Sequence, residues 1–270
     1  MEARRSRPRF SANAFLTVAN VVYLLLAMSV LTLIGCLPLV LAFVFAPGLR
    51  FYPLVLAAAA LSAPGVAASF AMFRDHPVFL TASRRDALNA LAESGGDLPD
   101  WIAAPYVPSD VSVAVFRPYF AAYRRVGLRA LAVGVTFGVA EFLALYDAQL
   151  LMQVAWGQLF VPLLFVVAVI SVEAALVALG LVVEFPKAKW RSLLRNGYLC
   201  GVRRFVMLVI NACVLAVYAW GAMRSPILVA VLATGVVAFV LWAGVRWQFR
   251  ALALAMAREA HDRHLVALYD

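Results

Sequence analysis

The sequence predicts an all-α polytopic membrane protein: six transmembrane helices in three hairpins, with amphipathic juxtamembrane helices on the cytoplasmic side. Three observations predict it. Of the 270 residues, 65% are hydrophobic and 14% charged, with a mean hydropathy of +0.92; a soluble domain is about 45–50% apolar and about 25% charged. The apolar residues gather into six runs, each close to the ~20 residues that cross ~30 Å of hydrocarbon. The basic residues, finally, fall on alternate connections between those runs.

The runs cover residues 15–45, 52–73, 126–146, 159–183, 205–223 and 227–247. The first is long enough to tilt or to begin in the interface, too long for a cleaved signal peptide, and Pro38 is expected to kink it. Pro226 suits the first turn of the sixth. Around this 15–247 membrane domain lie a basic N-terminus, 1–14, and a C-terminal tail, 248–270. The one polar insert, 81–112, contains Ser83 and Asp86 at capping-box spacing, Gly95-Gly96 as a helix stop and "LPDW" as a turn. It reads as a short cytoplasmic helix and loop, or as a docking site for a soluble partner.

Net charge is +9 and the pI about 9.9, a balance that nucleic-acid binding also produces. Position decides against that. All but Arg50 and Arg224 of the 23 basic residues lie in the N-terminus, the second and fourth connections and the tail, or, for Arg129 and Arg246, just inside the adjoining span. The positive-inside rule then places both termini in the cytoplasm. The Ala- and Val-rich composition, with lysine only at Lys187 and Lys189, points to a GC-rich bacterial genome and hence to the bacterial cytoplasmic membrane.

The basic residues travel with rings. "VFRPYFAAYRRV" (115–126) sets Phe116, Phe120 and Tyr123 on one helical face and Arg117 and Arg124 on another, with Arg125 beside them. "FPKAKWRSLLRNGYLCGVRRF" (185–205) repeats the pattern, with Trp190, Leu193, Leu194 and Tyr198 on one face and Lys187, Arg191 and Arg195 on the other, ending in Arg203 and Arg204. Both read as amphipathic segments lying in the interface, rings among the headgroups and guanidinium groups on anionic phosphates. The expected partner is therefore the bilayer and not nucleic acid.

Catalytic signatures do not assemble. There is no Gly-rich phosphate loop, and Cys36, Cys200 and Cys213 match no metal or disulfide spacing. His261 and His264 with Asp262 make a poor metal site and read as solvated tail residues. "EAALVALG" at 173–180 resembles the coupling loop of importer permeases, but its glycine comes one residue late and it lies within a span. No catalytic, cofactor or metal residue is assigned. Four polar residues within spans remain as candidates: Glu173, Glu141, Asn211 and Asn20. An intramembrane carboxylate is costly and marks either a hydrogen-bonded structural position or a proton or solute site. The asparagines are expected to bond between helices. Glu173 lies about ten residues above the inner end of its span and Asn211 about six above the start of its own, an offset of ~6 Å at 1.5 Å per residue, so the two side chains are expected to meet. Ala130, Gly134 and Gly138 make a small-residue seam for close packing inside the bundle.

The order of "ANVVYLLL", "SAPGVAASFAMFRD", "FRPYFAAYRRVGLRAL" with Asp147 after it, and "LVVEFPKAKWRSLLRNGYL" resembles the YesL-like bacterial membrane proteins, domain of unknown function 624, from about Asn13 to Trp247. The chain departs from that family at Ala63, often Gly there, and in its longer insert. The resemblance implies a non-enzymatic accessory or interaction subunit linked to carbohydrate uptake, with sugar ABC importer subunits as partners. The alternative is a small secondary transporter using Glu173 or Glu141.

Overall fold

A computed structural model describes residues 12–46, 48–76, 79, 84, 86–87, 101–102, 115–261 and 263–269. The first eleven residues, Asp262 and most of the 81–112 insert, with its Gly95-Gly96 stop, lie outside the described residues. Every regular element among the described residues is helical. They are α1 (Ala12–Gly35), α2 (Leu37–Phe45), α3 (Tyr52–Asp75), α4 (Phe116–Leu151), α5 (Val161–Glu184), α6 (Trp190–Arg203), α7 (Phe205–Arg224), α8 (Pro226–Glu259) and α9 (Arg263–Tyr269), with single 3₁₀ turns at Leu49–Phe51 and Gly157–Leu159. By length and composition α3, α4, α5, α7 and α8 are each able to cross a membrane, and the bent pair α1–α2 makes a sixth crossing if it is one span.

The expected first span, 15–45, is not one helix. The chain breaks at Cys36 and turns by 72°. Pro38 is the cause, because its ring lacks an amide hydrogen and clashes with the carbonyl four residues back, so it fits only a new first turn. The amide of Leu39 is met from outside, by Ser62 Oγ of α3 at 3.2 Å. The break also needs Gly35. A Cβ there would overlap the Tyr119 hydroxyl and lie 2.8 Å from Gly65 Cα, and a Cβ on Gly65 would run into the Gly35 backbone. Tyr119, fully buried, then donates to Gly65 O at 3.1 Å. Three helices meet at this point.

Two helices overrun their expected limits. α4 has 36 residues, about 54 Å, and α8 has 34, about 51 Å. The segment 115–126 is therefore the first three turns of α4 rather than a separate interfacial piece. Its inward face is Val115, Tyr119, Ala122 and Val126, while Phe116, Phe120, Arg117 and Arg124 are exposed. At the other end α4 continues through Asp147 to Leu151, which shortens the expected 147–158 connection. A polar sequence ends the apolar run but not the backbone hydrogen bonding, since neither segment contains a helix stop.

The most extensive packing is between α3 and α4, followed by α4 with α5, α5 with α6, α1 with α8 and α7 with α8. The predicted small-residue seam carries the α3–α4 contact. A Cβ on Gly134 would sit 2.6 Å from Ala60 O and from Ala63 Cβ, and Gly138 faces Ala60. α1 meets α8 where Gly235 N donates to Ser29 Oγ at 2.8 Å, and α1 meets α3 through Thr32 and Ser69, also 2.8 Å apart. The core fills one end of the bundle. α3 is buried almost without interruption from Ser62 to Asp75, and α5 from Val177 to Phe185, while the first halves of both carry exposed Leu54, Leu61, Leu163 and Phe165. α7 is peripheral, with only Leu208 and Asn211 buried.

Candidate functional site

Two polar constellations lie inside this apolar frame. The first is the pair expected from sequence. Glu173 of α5 is 3% exposed and Asn211 of α7 is 0% exposed, and the Asn211 amide donates to Glu173 Oε1 at 2.7 Å. α8 closes the pair from the side. A Cβ on Gly244 would overlap Asn211 Oδ1, so only glycine lets the α8 backbone come this near. One turn on, Gln248 brings another side-chain amide to the carboxyl and donates through Nε2 to Gly201 O of α6 at 3.4 Å. Ser171 and Tyr198, 3.3 Å apart, bridge α5 and α6 next to it. Four helices thus converge on one carboxyl. Two buried acceptors there, Asn211 Oδ1 and Gln248 Oε1, have no hydrogen-bond partner among the described residues. A proton on the second oxygen of Glu173, turned to Asn211 Oδ1, would close a two-bond carboxyl–amide ring and leave no charge unpaired.

The other candidates behave differently. Glu141 is half-buried on α4 and makes no hydrogen bond or ion pair among the described residues. Asn20 is exposed on α1, against the expected interhelical bond.

The second constellation was not expected. It sits where α3 and α5 end, and α9 folds back onto it. Arg74 pairs with Asp75 through Nε at 2.5 Å and Nη2 at 2.9 Å, and its Nη1 donates to Val183 O at 2.7 Å. A cation there satisfies the negative end of α5. Glu184, one residue on, is a carboxylate at the unfavourable end of the same helix dipole. The Tyr269 hydroxyl of α9 compensates by donating to its Oε1 at 2.6 Å, and Arg84 Nη2 lies 3.7 Å away. Arg125 of α4 reaches Asp75 at 3.7 Å. Arg74, Asp75, Arg84, Glu184 and Tyr269 are all buried. Burial pushes the Arg84 guanidinium below its ordinary value, against the pull of Glu184. The Tyr269 hydroxyl is raised well above its ordinary value by burial and by the negative charge of Glu184.

The tail is accordingly not a solvated extension. Leu265, Leu268 and Tyr269 are buried, and two arginines of α8 cap the end of α9: Arg246 Nη2 donates to Leu268 O at 3.3 Å and Arg250 Nε to Tyr269 O at 2.9 Å. His261 stays exposed in the left-handed turn between α8 and α9, at φ 56°, and the side chain of His264 is outside the described residues. The sequence did contain a signal for this network. Asp75 and Glu184 put acids at the ends of apolar helices, and a tail with apolar residues at 265, 268 and 269 is patterned to dock.

The basic collars divide by role. Arg117, Arg124, Arg191, Arg195 and Arg203 are exposed, and so is Trp190. Arg125 is exposed but turns inward to Asp75, Arg129 donates to Ala188 O, and Arg204 lies over the Trp247 ring, 3.7 Å from its centroid. α6 is the separate amphipathic helix expected from sequence, but it does not lie free on a surface. Leu193, Gly197 and Gly201 press it against α5, where a Cβ on Gly197 would come 2.9 Å from Ala174 O. No family model matches this chain, and no curated protein and no solved structure matches it.

Proposed function

We propose that the chain is a multi-pass protein of a bacterial cytoplasmic membrane, crossing it six times with both termini inside, and that it serves as a non-enzymatic accessory or interaction subunit linked to carbohydrate uptake by an ABC-type importer. The crossings are α1–α2 as one broken span, then α3, α4, α5, α7 and α8. The sidedness of the basic residues supports the orientation. Rings at the opposite end, where Tyr52 stacks on Phe142, Phe142 on Tyr146, and Trp156 meets Phe160, support the crossing itself. The carbohydrate link rests on the resemblance to the YesL-like proteins. The observation that carries the scaffold role is the closure of Glu173 by Asn211 at 2.7 Å with the Gly244 backbone packed against the pair. Such a carboxyl holds helices together. The experiment is a mild-detergent pull-down from the native host, in which importer subunits are expected to co-purify.

A second reading has its own observation. The unpartnered Asn211 Oδ1 and Gln248 Oε1 beside Glu173 are acceptors for a transported proton or small cation, which favours a small secondary transporter. A chain that purifies alone and moves a solute in liposomes, losing that transport in Glu173→Gln, would establish this reading in place of the first.

A further inference from the structure

Three carboxyl side chains are buried among the described residues: Asp75, Glu173 and Glu184. Two of them face guanidinium groups, Asp75 those of Arg74 and Arg125, and Glu184 that of Arg84. Glu173 forms no ion pair among the described residues, and its neighbours are the neutral amides of Asn211 and Gln248. An ionised carboxyl in such a place needs a counter-charge, since burying an unpaired charge costs far more than burying a paired one.

A proton is one counter-charge, and by itself it is not sufficient. Asn211 Oδ1 and Gln248 Oε1 belong to side chains that are 0% and 3% exposed, and neither oxygen has a hydrogen-bond partner among the described residues. A protonated Glu173 has one O–H and serves one of them, not both. A bridging water would serve both but brings no charge. A metal cation is non-directional, so a single ion answers the carboxylate and both amide oxygens together. Hard cations take oxygen ligands of this kind. One carboxylate with two neutral amides balances a monovalent ion and not a divalent one. The Gly244 backbone packed on Asn211 keeps the space small, which favours sodium over the larger potassium. The amides suit the task, because each can turn either its nitrogen or its oxygen to the carboxyl. With nitrogen inward, as Asn211 is placed, an amide holds a bare carboxylate; with oxygen inward it completes a cation shell. We infer that Glu173, Asn211 and Gln248 bind one dehydrated monovalent cation of sodium's size, joining α5, α7 and α8. The inference rests on the second reading above, that these groups form an ion site, and names the ion.

The test uses the full chain in detergent, prepared in choline chloride and titrated with sodium or potassium chloride at constant total salt. Two quantities are read: the thermal midpoint, and labelling of Glu173 by dicyclohexylcarbodiimide, located by peptide mass spectrometry. Glu141, half-buried on α4, is the internal reference. The midpoint is expected to rise with the logarithm of sodium concentration once the site fills. Labelling is expected to slow about tenfold at Glu173, and not at Glu141, when sodium exceeds its dissociation constant about tenfold. Potassium should need about tenfold higher concentration for the same effect. Glu173→Gln should abolish the sodium response of the midpoint. Gln248→Leu keeps the carboxyl but removes one oxygen ligand, and should weaken the response about tenfold. Identical behaviour in sodium, potassium and choline would overturn the inference whether or not the variants fold, and so would a full sodium response in either variant. Liposomes separate this result from the transport reading. Bound sodium with no movement of ion or solute refutes the transporter and upholds the site, whereas movement indifferent to sodium, with Glu173 unprotected, refutes the site alone.

Discussion

Asn211 is one of two buried residues on α7, and its amide hydrogen bond to Glu173 at 2.7 Å ties that peripheral helix to the centre of the bundle. Glu173→Gln keeps a hydrogen-bonding partner of the same shape and is expected to lower stability by less than about 1 kcal/mol. Glu173→Leu leaves the buried Asn211 amide unmet and is expected to cost about 1–3 kcal/mol. Thermal midpoints of the two variants in detergent check this. Equal midpoints would show that the pair does not hold α7.

The contact of Gly35, Gly65 and Tyr119 leaves no room for a methyl group. Gly65→Ala is expected to destabilise the chain by about 1–3 kcal/mol through overpacking, and Tyr119→Phe, which only removes the bond to Gly65 O, by about 1 kcal/mol. Chemical unfolding in mixed detergent measures both. A Gly65→Ala chain as stable as the parent would mean that α1 and α3 do not approach as closely as found.

α9 is held by Tyr269 on Glu184 and by the arginine caps from α8. Tyr269→Phe removes the hydrogen bond to the Glu184 carboxylate and is expected to cost about 1.5–3 kcal/mol, the worth of a bond to a charged group. Limited proteolysis reads the consequence locally, with cleavage near His261 at lower protease concentration than in the parent. Unchanged cleavage would separate α9 docking from this hydroxyl.

The same residue sets an alkaline limit. The folded protein holds the Tyr269 proton to a higher pH than the unfolded chain does. Its contribution is therefore complete below the ordinary tyrosine value of 10.0 and declines as pH rises from there toward the raised folded value. Midpoints measured from pH 8 to pH 11 should fall more steeply above pH 10 in the parent than in Tyr269→Phe. Parallel curves would remove Tyr269 from the alkaline transition.

Orientation is tested by single cysteines in a background lacking Cys36, Cys200 and Cys213. A cysteine at Gln153 is expected to react with an impermeant maleimide in intact cells, and one at residue 90 or added at the C-terminus only after permeabilisation. The reverse pattern would invert the proposed topology.

The helical class, the presence of five to six long apolar helices and the Glu173–Asn211 pair were legible because each depends on one quantity that a linear sequence states outright. Apolar run length is such a quantity, and so is depth along a helix counted from its charged end. α7 matched its expected range almost to the residue, since the helical backbone is interrupted at Arg204 and again at Ser225, just before Pro226. The small-residue seam was legible for the same reason, as spacing on one face.

What only the tertiary structure decided was which partner meets each polar group. Hydropathy scores Val183 and Leu163 alike, although one is buried in protein and the other is exposed. Likewise Arg74, inside an ion-pair network, reads in sequence like exposed Arg117. The clamping of α6 onto α5 and the return of α9 to Glu184 follow from contacts between segments far apart in the chain. Helix limits are set by backbone hydrogen bonds and by what packs against the ends, and an apolar run records neither.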